Sequence, residues 1–153
     1  MPLTPLTFRP SFEVNPKLAK AFHNLSSLLM AVGQKSITPV HEQKINEIIA
    51  GVNDFPGPDS ELVKQFKSAQ AGILKLLETD LKIVSKNHYQ LQWLALGMAA
   101  FGIPLGVVFG TSLGNMGLMG IGLPIGMAIG IAVGTAKDKQ AADEGRQLDW
   151  VAK

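Results

Sequence analysis

Residues 91–136 read LQWLALGMAAFGIPLGVVFGTSLGNMGLMGIGLPIGMAIGIAVGTA, a run of 46 residues without a charged side chain. Elsewhere charge is ordinary: residues 1–90 contain ten Lys or Arg and eight Asp or Glu, and residues 137–153 contain four of each. One helical crossing of a bilayer needs about 20 apolar residues, so this run suffices for two crossings. Its most polar and turn-prone part, residues 111–117, divides it into residues 93–113 and 116–136. The run therefore predicts a transmembrane helical hairpin.

The residues that flank the run predict its orientation. Three basic residues precede it and three follow it: Lys75, Lys82 and Lys86, then Lys137, Lys139 and Arg146. Because basic residues accumulate on the cytoplasmic side, we expect both termini in the cytoplasm and the uncharged turn around Asn115 outside the cytoplasmic (inner) membrane. Tyr89, Trp93 and Trp150 are predicted to anchor the hairpin at the headgroup level, although Trp150 could equally be an ordinary packing residue.

The two halves of the run repeat each other at a shift of twenty positions. GIPLG at residues 102–106 recurs as GLPIG at residues 122–126, and each motif continues into further glycines at four-residue spacing. The two series are Gly102, Gly106, Gly110, Gly114 and Gly122, Gly126, Gly130, Gly134. Glycines four apart share one helix face and let another backbone approach closely. We expect them to pack helices within and between subunits of a homo-oligomer; the alternative is a hairpin whose helices pack only on each other.

This doubled motif resembles the small bacterial membrane proteins that carry a two-helix glycine-zipper hairpin. The resemblance covers residues 93–136. It implies a membrane-embedded protein that is frequently oligomeric and in some cases forms a pore.

The two prolines of the repeat bear on the helices around them. Pro104 lies near the middle of the first half, where a missing amide donor predicts a kink. Pro124 predicts the same in the second half. Alternatively, the second helix begins near Gly122 with Pro124 in its first turn and stops at Gly145.

The first ninety residues predict an amphipathic helical region. Residues 1–15 contain three prolines and are expected to form an extended arm. Residues 16–90 show three helical patterns: one from Pro16 to Gly33, one after Thr38, and a third after the breaker cluster at residues 55–59. With no breaker before Trp93, the third is expected to continue into the membrane as a long stem. Residues 137–153 are expected to form a cytoplasmic tail.

Residues that could perform chemistry are scarce in this sequence. There is no cysteine, and the three histidines have no metal-ligand spacing. We therefore expect no enzyme activity, cofactor or metal, and the net charge of +2 does not favour a nucleic-acid partner.

These features together predict an all-α protein with a small cytoplasmic bundle, a two-helix transmembrane hairpin and a homo-oligomeric assembly. The first functional hypothesis is a pore, or a gate of one, that alters membrane permeability, with Thr111, Ser112 and Asn115 at its mouth. The alternative is a membrane anchor or adaptor whose cytoplasmic helices recruit a soluble protein partner.

Overall fold

The computed structural model describes residues 3–151 and is mostly helical there. The first two residues of the predicted arm and the last two of the predicted tail lie outside the described residues. The helices are α1 (Ser11–Val14), α2 (Pro16–Gly33), α3 (Pro39–Asn53), α4 (Asp59–Leu81), α5 (His88–Gly97), α6 (Ile103–Ser112) and α7 (Gly122–Asp143). A π-helical turn, Met98–Gly102, joins α5 to α6, and a 3₁₀ helix, Met116–Ile121, precedes α7. Two short strands, β1 (Val84–Ser85) and β2 (Gln147–Leu148), pair with each other.

The described residues form two compact units. The N-terminal unit contains residues 3–85 together with residues 148–151. The hairpin unit contains residues 86–147. The predicted all-α fold is confirmed, apart from the two-residue strands.

Local signals position the first long helices of the N-terminal unit. Pro16 begins α2, and the Asn15 side chain accepts hydrogen bonds from the amides of Lys17 and Leu18 in the first turn. Gly33 ends the helix, as predicted. Thr38 precedes Pro39 at the start of α3, also as predicted.

The apolar stripes of α2, α3 and α4 meet in the core of the N-terminal unit. The largest fully buried side chains are Leu18, Leu25, Leu28, Ile45, Ile49, Leu62, Ile73, Leu77, Leu148 and Val32. Phe66 and Phe12 join them and stack edge to face. Burial of each such side chain contributes about 1.5 to 3 kcal/mol, so the N-terminal unit has its own hydrophobic core.

The N-terminal arm packs on α3. The amides of Thr4 and Thr7 donate to the side chains of Asn46 and Asn53, over 2.7 and 2.9 Å. The Arg9 guanidinium donates to the carbonyls of Asn53 and Phe55. The arm is irregular up to residue 10, and residues 11–14 then form a helical turn where an extended arm was predicted.

The predicted continuous stem is wrong, because α4 ends at Leu81 and α5 begins at His88. Lys82 adopts a left-handed conformation with φ 57°, and the following amide, of Ile83, donates to the Leu77 carbonyl. Val84 is 2% exposed. Ile83 is partly buried against the core of the N-terminal unit, and the left-handed Lys82 ends the helix before it.

Residues 137–151, in the segment predicted to be a tail, are folded: the second helix extends into them, as the alternative for its end at Gly145 predicts. Helix α7 runs on to Asp143, and Gly145, with φ 70°, reverses the chain. Leu148 and Trp150 then enter the core of the N-terminal unit, where they are 0% and 5% exposed. The Trp150 indole Nε1 donates to the Ser27 hydroxyl over 2.9 Å.

Candidate membrane hairpin

Two continuous helices form the hairpin unit. They are His88–Ser112, which comprises α5, the π-helical turn and α6, and Met116–Asp143, which comprises the 3₁₀ helix and α7. Both are long and apolar enough to cross a membrane. They pack side by side along their whole length.

A line of glycines, which we call the glycine seam, fills the contact between these helices. Its members are all buried: Gly97, Gly102, Gly106, Gly110, Gly122, Gly126, Gly130 and Gly134. A Cβ atom added to Gly126 would lie 2.5 Å from the Gly102 amide nitrogen and 2.5 Å from the Gly97 carbonyl oxygen. Real Cβ atoms do not approach backbone atoms so closely, so Gly126 has no room for a side chain. The same close backbone approach is found at Gly97, Gly106, Gly122, Gly130 and Gly134. Seven of the eight glycines predicted for helix packing thus lie in the contact between the two helices of one hairpin. Most of them meet another glycine of the seam, whereas Gly110 meets Met116 and Met119 and Gly134 meets the backbone of Tyr89 and Gln90.

The π-helical turn explains how Gly97 enters the seam. Gly97 precedes Gly102 by five residues, whereas successive glycines of the predicted series are four residues apart. Sequence spacing alone therefore did not identify Gly97. The amide of Ile103 donates to the carbonyl of Met98, five residues earlier, and this wider turn puts residues five apart on one face. An added Cβ on Gly97 would lie 2.7 Å from Gly130 Cα.

The two prolines of the repeat are accommodated differently from each other. Pro104 is the second residue of α6 and directly follows the π-helical turn, which stands where the sequence predicts a kink. Pro124 is the third residue of α7, in its first turn. The turn before it is the 3₁₀ helix, so the α-helical part has the alternative start at Gly122 within a helix that extends from Met116 to Asp143.

The tip of the hairpin contains the residues proposed for a pore mouth. Thr111 Oγ1 donates to the Val107 carbonyl over 2.8 Å, and the Asn115 side chain accepts from the Gly117 amide over 3.0 Å. Thr111, Ser112 and Asn115 are exposed. Gly114 has φ 62° and no heavy atom near its Cβ position, so it makes the turn and takes no part in the seam. The Asn115 hydrogen bond stabilises this turn locally, whereas the Thr111 hydroxyl bonds back to its own helix.

Asp138 lies at the base of the hairpin, the end opposite the tip. It is 7% exposed, and its two carboxylate oxygens accept hydrogen bonds from the amides of Tyr89 and Gln90, over 3.1 and 2.9 Å. Asn87, at the N-cap position of α5, makes no side-chain capping bond. A carboxylate from α7 therefore caps the positive end of α5. The signal that sequence analysis missed is its position, four residues after Gly134 in the glycine series.

Aromatic and charged side chains surround this base. Lys137 Nζ lies 5.6 Å from the centroid of the Trp93 ring, within the range of a cation–π contact. Tyr89 and Trp93 are both half-buried at the base. Trp150, predicted to be a third anchor, is instead a core residue of the N-terminal unit. This agrees with the alternative prediction that it is an ordinary packing residue. Near the end of α7, hydrogen bonds from Gln140 and Arg146 lower the pKa of the Glu144 carboxyl below its ordinary value.

The outer surface of the hairpin is apolar. Its large exposed side chains are Leu91, Leu96, Phe101, Ile103, Val107, Val108, Leu113, Met116, Ile121, Leu123, Ile125 and Met127. Large apolar side chains exposed together in this way are typical of a surface that contacts lipid or protein.

A polar cluster in the N-terminal unit links α3 to the end of α4. The Thr38 hydroxyl lies 2.6 Å from His41 Nδ1, and His41 Nε2 lies 3.2 Å from Asp80 Oδ2. Lys44 Nζ lies 3.6 Å from the same carboxylate oxygen. Among residues 3–151, no group of three or more His, Asp or Glu side chains is placed to hold a metal ion.

In the comparisons with known proteins, no family model, curated protein or solved structure matches this chain. The resemblance to glycine-zipper proteins accordingly stays a prediction.

Proposed function

We propose that this protein is a membrane anchor: its glycine-packed hairpin crosses the bilayer and holds the N-terminal unit at the cytoplasmic surface, available to a soluble protein partner. The observation that carries the proposal is the glycine seam. Because the two glycine series close on each other within one chain, the hairpin is already packed as a single subunit. Its remaining surface is the apolar exterior that lipid covers well.

The polar groups of the hairpin support the same proposal. In hydrocarbon, every backbone donor and acceptor must be satisfied inside the protein, and two long helices meet this requirement. Charged side chains begin only at Lys137 on one helix and at Lys86 before the other, both at the base. With basic residues at the base and an uncharged tip, the anchor has both ends in the cytoplasm.

Flotation of membranes in a density gradient tests the anchor. We expect Ile103→Asp combined with Ile125→Asp to leave the membrane fraction, because each Asp near a helix centre costs about 2.5 to 3.5 kcal/mol of insertion free energy. Both side chains are exposed in the hairpin, at 57% and 36%. The matched control is Leu113→Asp with Met116→Asp at the tip, which should float like the unmodified protein. Flotation of the Ile103/Ile125 variant equal to that of the control contradicts the anchor.

A second candidate function is the homo-oligomeric pore. One observation favours it: Ala128, Ala132 and Ala136 are exposed at four-residue spacing on α7, outside the glycine seam. Small residues at this spacing can pack against a helix of another subunit. Subunit contacts of a pore would then use this alanine ridge, and the glycine seam would hold each subunit together.

A further inference from the structure

The groove between α2 and α4 in the N-terminal unit is lined by three lysines. It has a volume of about 340 Å³, within the range of small-molecule sites. Lys17 and Lys20 line it from α2, and Lys67 lines it from α4. The Gln70 amide is also part of the lining, and Ala21 and Val63 contribute its apolar part.

The two helices have no negative charge along this stretch. Helix α2 contains Lys17 and Lys20 and no Asp or Glu. Between Glu61 and Glu78, α4 contains only basic charged residues, one of which is Lys67. The net charge of the whole chain is +2, so this local excess is not evident from composition.

The lysines of the groove are also uncompensated in three dimensions. Within residues 3–151, Lys17, Lys20 and Lys67 form no ion pair with a carboxylate. Like charges gathered at a concave, partly apolar surface repel one another and focus a positive potential into it. An anion bound there would relieve that repulsion.

We propose that this groove binds a phosphate-bearing ligand, with the three ammonium groups around the phosphate and the Gln70 amide bonding to an adjoining polar group. Lysine binds phosphate as a mobile point charge with three donors, so flexible exposed lysines that line one groove can reach a common anion. The ligand is either a soluble phosphate compound or the headgroup of an anionic lipid, since both present the same chemistry. The site lies wholly within the N-terminal unit and does not depend on the anchor proposal.

Isothermal titration calorimetry on the full chain in a neutral detergent tests the site with two probes, inorganic pyrophosphate and monomeric short-chain phosphatidylglycerol. We expect saturable binding of at least one probe, weakened at least tenfold by Lys67→Glu. The matched control is Lys75→Glu, an exposed lysine on α4 that does not line the groove, and it should change the affinity less than twofold.

The outcomes separate the two sources of phosphate. Binding of pyrophosphate alone assigns a soluble ligand, and binding of phosphatidylglycerol but not of short-chain phosphatidylcholine assigns an anionic headgroup. Equal weakening by Lys67→Glu and Lys75→Glu overturns the proposal, because the binding then follows net charge. Absence of binding by both probes overturns it as well. Far-UV circular dichroism of the variants verifies that each is folded.

Discussion

Asp138 occupies the position where the four-residue glycine series of α7 would place its next member, after Gly134. At each glycine the opposite backbone approaches without a side chain between the helices. At Asp138 the chain instead inserts a carboxylate between α7 and the start of α5, where two amides need an acceptor. The four-residue series of α7 thus provides both the glycines that let the helices pack closely and the carboxylate that caps α5.

We expect Asp138→Ala to destabilise the hairpin by about 2 kcal/mol, because hydrogen bonds to a charged group are strong and the Tyr89 and Gln90 amides lose their acceptor. Hydrogen exchange in detergent measures this directly: the two amides should exchange roughly 10 to 100 times faster. The control is Asp143→Ala, an exposed carboxylate five residues further along α7, which should leave both rates unchanged. Unchanged exchange in Asp138→Ala would show that the carboxylate does not cap α5.

Gly126 offers a second test at the residue scale. In an unobstructed helix, alanine is favoured over glycine by about 1 kcal/mol. We nevertheless expect Gly126→Ala to be destabilising, by about 1 to 3 kcal/mol, since the added methyl meets the backbone at Gly97 and Gly102 and must force the helices apart. Unfolding in a denaturing detergent, followed by circular dichroism, measures the change. Gly120→Ala is the control, because open space surrounds its Cβ position; a stabilised Gly126→Ala would refute the seam.

At the scale of elements, helix α2 was predictable and the end of α4 was not. The signals for α2 are local: a proline at its start, an apolar face and a glycine at its end. The end of α4 has no such breaker: Lys82 turns left-handed there and Val84 is buried, through contacts that only the folded chain supplies. Asp80 is a similar case, because its contact with His41 joins residues 39 apart in sequence. Contacts between distant residues likewise placed Trp150 in the core.

Asn87 tests the break between α4 and α5. Its φ of 60° is tolerated by asparagine, is free of strain for glycine and costs other residues about 1 to 2 kcal/mol. We therefore expect Asn87→Gly to be at least as stable as the unmodified protein and Asn87→Ala to be less stable by about 1 kcal/mol, measured by chemical unfolding. The same pair of substitutions at Gln92, inside α5, should show the opposite order. Alanine more stable than glycine at both positions would indicate a continuous stem.

At the scale of the whole molecule, the anchor and the pore differ in what lies outside the glycine seam. An anchor needs only lipid around a closed hairpin. A pore needs several hairpins around a lumen, and the exposed alanine ridge of α7 is the surface that would bring them together. The two functions therefore predict different effects for substitutions inside and outside the seam.

Liposomes that contain the purified protein distinguish the two. For the anchor, we expect them to retain a trapped dye, and the mass of the detergent-solubilised particle to correspond to one chain plus detergent. Ala132→Leu should then change neither the dye retention nor the particle mass, because the substituted side chain faces lipid.

For the pore, dye is released, and Ala132→Leu reduces both the release and the particle mass, since the larger side chain separates the subunits. Gly126→Leu is the matched substitution within the seam on the same helix. It should unfold the hairpin under either function, so only a loss of mass in Ala132→Leu with its helical content retained identifies a subunit contact. Dye release together with an oligomeric mass in the unmodified protein would replace the anchor with the pore.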